Sequence, residues 1–165
     1  MPGEYRFRPL VADDRRLFDR WLAEPHMEGW WGDADTEWAQ IMREWAAGGD
    51  ADMRIVEHEG YPFAYVQDYD AHSCTMPHYA HLPKGTRAMD AFLGDRAYLG
   101  RGHAAAFLRQ RALRLAAKGA PLVAVDPAPG NARAIAAYGR AGFSGAGAAR
   151  DAEGRPVRVM TLRPR

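Results

Sequence analysis

The segment Leu99-Gly100-Arg101-Gly102-His103-Ala104 stands between an apolar, strand-like run and a basic, helix-like one. Glycines at 100 and 102 permit a tight turn, so that successive backbone N–H groups at the start of a helix converge on an anion such as a phosphate. No Gly-Lys-Ser/Thr follows, which excludes the nucleoside triphosphatase loop. A second group of reactive side chains, His72, Cys74, His78 and His81, fits no standard zinc spacing, so no metal site is expected there; these residues are expected to border a substrate pocket instead.

The elements that position these residues follow from periodicity. A first strand spans Tyr5 to Leu10, and Leu17, Phe18, Trp21 and Leu22 form the apolar face of a helix that Asp13 and Asp14 suit at its start. After Trp30-Trp31-Gly32 comes a helix from Thr36 to Ala46. Strands at Met53 to Glu57 and Pro62 to Tyr69 are joined through His58-Glu59-Gly60, and Ala71 to Gly85 is a loop. A strand from Arg87 to Leu93 leads into the glycine turn. The next helix faces inward with Ala104, Phe107, Leu108, Ala112 and Leu115 and presents a basic outer face. Leu122 to Val125 is apolar throughout and reads as a buried strand parallel to a neighbour. Asn131 caps a final helix carrying Ile135 and Tyr138, Gly142 stops it, and the tail is a hairpin about Asp151 to Gly154.

Asp126-Pro127-Ala128-Pro129-Gly130 places two prolines where ladder donors would stand. The strands ending near Leu93 and Asp126 should therefore splay. The opening can accept an extended, amide-bearing ligand as a false strand with its pyrophosphate on the glycine turn, and coenzyme A has that form.

With these residues the chain resembles the GNAT superfamily of N-acetyltransferases. The family's pyrophosphate loop reads Gln/Arg-x-x-Gly-x-Gly/Ala; Gly102 and Ala104 match it, and Leu99 stands at the first position. Asp126 to Phe143 is similar to the family's later strand-to-helix segment. Three stretches, His26 to Gly32, Gly60 to Gln67 and Gly85 to Leu93, most resemble the aminoglycoside 6′-N-acetyltransferases, over about Phe7 to Leu162. The resemblance implies an α/β (α+β) fold: one mixed, mostly antiparallel sheet of six to seven strands with a central, splayed parallel pair, and about four helices. It implies acetyl-CoA as cosubstrate, held by Phe92, Leu93, Leu99, Gly100, Arg101, Gly102, His103, Ala104, Asn131, Ala134 and Tyr138, with Asn131 near the pantetheine arm and Tyr138 near the sulfur. It also implies an amino-sugar pocket at Trp30, Trp31, Gln67, Asp68, Asp90 and Asp126. Antibiotic resistance is the associated role.

An amine that attacks a thioester directly needs alignment, a proton acceptor, an oxyanion donor and help for the departing thiolate. Asp90 is the candidate to hold the ammonium and take its proton, provided burial or a nearby carboxylate raises its pKa from about 4. Tyr138 is the candidate acid, since a phenol near 10 lies close to a thiol near 8.5. The oxyanion donor is expected to be a backbone N–H at Phe92 or Leu93. Asp68, Asp70, Asp90 and Asp126 are read as strand-end acids on one edge of the sheet that meet a cationic acceptor, and the tryptophans offer a flat surface to a sugar or cation.

Length and charge set the remaining bounds. A chain of 165 residues is expected to form one domain over residues 1–165, and its formal charge of +1 argues against a nucleic-acid binder. One cysteine, no signal-like start and no long apolar run point to a cytoplasmic protein without a membrane partner, acting as a monomer or homodimer. Two alternatives to amino-sugar acetylation stay open: an acyltransferase of siderophore assembly acting on a hydroxylamine or lysine-derived amine, and a non-catalytic acyl-CoA sensor.

Overall fold

A computed structural model describes residues 4–73 and 76–163. Its centre is a seven-stranded sheet of β1 (Arg6–Pro9), β2 (Asp52–His58), β3 (Tyr61–Asp70), β4 (Arg87–Leu93), β5 (Val123–Val125), β6 (Ser144–Arg150) and β7 (Pro156–Leu162). The spatial order is β1-β2-β3-β4-β5-β7-β6, and only β4 and β5 are parallel. Four α-helices complete it: α1 (Arg15–Trp21), α2 (Ala34–Ala46), α3 (His103–Ala117) and α4 (Ala132–Ala141). Architecture and helix number are those expected. α2 begins before Thr36 because Asp33 caps it, accepting the Thr36 N–H at 2.9 Å.

Each face of the sheet carries its own core. Val66, Met89, Val123 and Val125 pack beneath Phe107, Leu108 and Leu115 of α3 and Tyr138 of α4. On the other face Ile55, Tyr65 and Phe92 meet Phe18 and Trp21 of α1 and Trp38 and Ile41 of α2. Beside that second core, Tyr69, Ala88 and Ala124 are covered by Tyr79, from a short 3-10 turn at Pro77–Tyr79 within the segment expected to be a plain loop. β5, buried on both faces, presents Val123 and Val125 to one core and Ala124 to the other, following the two-residue alternation of a strand.

The same alternation corrects the placement of Asp68. Gln67 and Asp68 are adjacent in β3 and must point to opposite faces. Asp68 lies on the α3 face, 1% exposed, where Arg87 Nη2 donates to it at 2.8 Å and Arg111 Nη2 at 2.7 Å. Arg111, on the helix expected to carry a basic outer face, is itself buried and also reaches Asp52 at 3.1 Å. Helical spacing accounts for this, since Arg111 is one turn from both Phe107 and Leu115. Asp68 is thus part of a structural ion-pair network and not of an acceptor pocket.

Candidate active site

β4 and β5 are in register only at Arg87 with Val123 and Ala88 with Ala124. Beyond that point β4 runs on to Leu93, whereas β5 ends and Pro127 turns its carbonyl to the Arg158 N–H at 2.9 Å. The splay expected from the two prolines is present. Arg87 donates its N–H to Leu122 on the β5 side, and Gly94 donates to Phe63 on the β3 side. By alternation, Ala91 and Leu93 turn their peptide groups into the gap and Phe92 turns its own to β3. Of the two expected backbone donors, Leu93 is therefore the one that faces the opening. Its carbonyl accepts from His26 Nε2 at 2.8 Å, a residue the sequence reading did not assign.

A cavity of about 690 Å³ occupies this gap and is lined from both faces of the sheet. Leu93, Leu99, Gly100, Gly102, His103 and Ala104 line one part, and Asn131, Ala134 and Tyr138 of the α4 region close it. Gly100 and Gly102 have φ of 71° and 82°, so the turn uses the left-handed conformations that glycine allows, and Gly102 is the N-cap of α3. The first-turn N–H groups of α3 have no partner within the helix and carry the positive end of its dipole. His103 brings no cation, because burial and then neighbouring His58 hold its pKa below the usual 6.5; its Nδ1 shares a 2.8 Å hydrogen bond with the Tyr5 hydroxyl. Arg101 is exposed and does not line the cavity, contrary to expectation, whereas Arg133 and Arg140 of α4 do. Asn131 caps α4 by accepting the Ala134 N–H at 3.1 Å.

Phe92, Trp30 and Trp31 line the cavity on the α1 and α2 face. Trp31 packs edge-on against Phe92, with centroids 4.8 Å apart, while Trp30 is half-exposed and reaches toward Gly130. Asp90, Gln67 and Asp126 lie on this same sheet face but outside the cavity wall. Asp90 is inside β4 rather than at its end, just past the last residue paired with β5. Gln67 Nε2 donates to Asp90 Oδ2 at 3.0 Å, and the Tyr65 hydroxyl donates to Gln67 Oε1 at 2.7 Å. Burial, and then the charge of Asp126, push the Asp90 pKa up to about 7, against hydrogen bonds from Gln67 and Tyr69. Glu44 of α2 adds to the rise. Burial and the charges of Asp90 and Asp126 drive Tyr138 well above the usual 10, so the phenol keeps its proton. Tyr138 thus lines the cavity on one face of the sheet and senses both carboxylates on the other.

The histidine-rich segment divides. His78 Nε2 lies 2.9 Å from Asp126 Oδ2, His72 Nε2 donates to the Leu82 carbonyl at 2.9 Å, His81 is exposed, and Cys74 lies outside the described residues. Among the described residues, no three of His, Cys, Asp and Glu are placed to hold a metal ion.

The family model for the acetyltransferase (GNAT) domain matches residues 11–150. Aminoglycoside N(6′)-acetyltransferase type 1 from Klebsiella pneumoniae, and the protein of that name from Serratia marcescens, are each 25% identical over 164 residues, covering 94% of this chain and 82% of the relative. A solved structure of AAC(6′)-Ib with paromomycin and acetyl-CoA superposes with a TM-score of 0.81 at 25% identity, covering 98% of this chain and 94% of that one. The same enzyme with ribostamycin and coenzyme A gives 0.79 at 25% identity, over the same shares of the two chains. With a family match over most of its length and the parallel strands splayed beside a glycine turn, the chain belongs to the GNAT family of acetyltransferases.

Proposed function

We propose that this protein transfers an acetyl group from acetyl-CoA to a primary amine of a cationic small molecule, most specifically the 6′-amine of an amino sugar. The observation that carries this reading is the gap between β4 and β5, whose cavity is lined by the glycine turn and the start of α3 on one face of the sheet, while the Asp90 and Asp126 carboxylates lie on the other face, outside the cavity wall. The relatives named for aminoglycoside acetylation support the acceptor class.

The left-handed glycine turn and the α3 N-terminus fit a pyrophosphate, and Arg133 and Arg140 are the cations beside it. Acetyl-CoA, when bound, supplies the thioester carbonyl that the amine attacks. Leu93 turns its N–H into the gap, where it can meet the oxyanion. Asp90 attracts the acceptor's ammonium and, with a pKa of about 7, takes up one proton as the amine is consumed. Tyr138 retains its proton at neutral pH and donates a hydrogen bond to the departing sulfur, since a phenol raised this far is poorly matched to hand the proton over outright; the second proton released by the nitrogen leaves with the thiolate as the free thiol. Trp30 and Trp31 offer the acceptor a flat apolar surface. Gln67 is read as a residue that orients Asp90, because both ends of its amide are engaged. No helix among the described residues is long and apolar enough to cross a membrane, and the reading takes the protein to act in the cytoplasm on a small molecule, as a monomer or homodimer.

The test is thiol release from acetyl-CoA with a panel of aminoglycosides, polyamines, N6-hydroxylysine and a lysine peptide. Turnover centred on aminoglycosides is expected. Turnover on N6-hydroxylysine alone would move the protein to siderophore chemistry, and tight coenzyme binding without turnover on any amine would make it an acyl-CoA sensor.

A further inference from the structure

We propose that His78 is a positioning residue for the acceptor site, whose imidazole fixes the Asp126 carboxylate on the sheet face that carries Asp90 and thereby sets the charge that Asp90 meets. As regards catalysis this rests on the reading of Asp90 given above, while the contact of His78 with Asp126 stands on geometry.

The Pro77–Tyr79 turn packs over the sheet where β4 and β5 part. His78 is 4% exposed and Tyr79 0%, with their rings 4.2 Å apart. Volume alone would be filled better by apolar side chains, because His78 Nδ1 and Tyr79 Oη are both buried with no hydrogen-bond partner within the described protein. The polar contact the turn does make is the one from His78 Nε2 to Asp126 Oδ2, at 2.9 Å. A carboxylate accepts only, so Nε2 carries the hydrogen. Asp126 has left the ladder at this point, since Pro127 follows it, and the imidazole is what fixes its carboxylate.

The groups that face Asp90 come from every element around it. Gln67 and Tyr69 of β3 donate hydrogen bonds, Glu44 of α2 is a second negative charge, Tyr138 of α4 is a neutral phenol, and Tyr79 and His78 close the side toward Asp126. Among the carboxylates, Asp126 acts on Asp90 more strongly than Glu44. Without the His78 N–H, Asp126 is free to turn toward water, which removes negative charge from beside Asp90.

The experiment is a carbon-13 NMR titration of the Asp90 carboxyl in the full chain free of ligand, assigned with Asp90→Asn, in the wild type and in His78→Phe, His78→Asn, His78→Gln and Asp126→Asn. The wild-type carboxyl is expected to titrate near 7. His78→Phe should lower the midpoint by about one pH unit or more. His78→Asn, too short to reach Asp126, and Asp126→Asn should do the same if the phenylalanine variant does not fold. His78→Gln, which restores an N–H at similar reach, should return the midpoint toward the wild-type value. An unchanged midpoint in the folded variants overturns the proposal. So does an upward shift, which would mean that His78 acts as a cation, or a wild-type midpoint near 4. The turnover of Asp90→Asn is measured separately: full activity there removes Asp90 as the base while leaving the titration result standing.

Discussion

Gln67 Nε2 donates to Asp90 Oδ2 at 3.0 Å across the β3–β4 ladder, and the two residues are direct partners in register. Tyr65 fixes the amide's other end, and Tyr69 is a second hydrogen-bond donor to the same carboxylate. The carboxyl, with its pKa raised to about 7, must lose its proton to attract or deprotonate an ammonium. Initial rates at saturating acetyl-CoA should therefore rise with pH through about 7, and Asp90→Asn should lower kcat by roughly tenfold or more and flatten that limb. A rise that persists in the variant would assign the limb to another group.

Stability carries the same signature with its own sign. Between the ordinary aspartate pKa of 3.8 and about 7, the folded chain holds a proton on Asp90 that the unfolded chain has lost. The group's contribution to folding is fully present below 3.8 and is lost as pH rises through 7. Thermal melts of Asp90→Asn should accordingly gain on the wild type as pH increases from 4 to 8. A constant difference in Tm across that range would contradict the raised pKa.

Gly102, at φ 82°, caps α3 and lines the cavity. Gly102→Val places a β-branched side chain in a left-handed conformation, at a cost of about 1–2 kcal/mol, and fills the space where an anion would sit. Calorimetric titration should show coenzyme A affinity lost with a modest fall in Tm. Wild-type affinity in the folded variant would remove the phosphate assignment.

Arg111 ties α3 to Asp68 and Asp52 from a buried position on the face away from the acceptor residues. Arg111→Met leaves Asp68 with Arg87 alone and should destabilise the fold by roughly 3–5 kcal/mol in chemical denaturation. kcat and KM should stay near the wild-type values below the melting range. A selective loss of kcat with stability intact would place this network in the reaction.

Local signals carried most of what was legible beforehand. Gly100 and Gly102 specify a turn by backbone conformation, Asn131 specifies a helix start by its capping oxygen, and Pro127 specifies the end of β5 by its missing N–H. The position of Asp68 departs from the expectation although the signal is present, since parity along β3 separates Gln67 from Asp68; the spacing from Phe107 and Leu115 likewise turns Arg111 inward from an otherwise basic helix face. The contacts of His78 with Asp126 and of His26 with Leu93 are different in kind. They join distant segments through single hydrogen bonds, which no periodicity encodes.

The most direct test of the proposed reaction is a matched pair of amino sugars that differ only at the 6′ position, one bearing an amine and the other a hydroxyl, assayed for thiol release from acetyl-CoA with the product's acetyl position read by NMR. Acetyl-CoA-dependent turnover of the amine alone, with the acetyl group on the 6′ nitrogen, is the predicted result. Equal turnover of both compounds, acetylation at another nitrogen, or no turnover of the 6′-amine while coenzyme A still binds would contradict it.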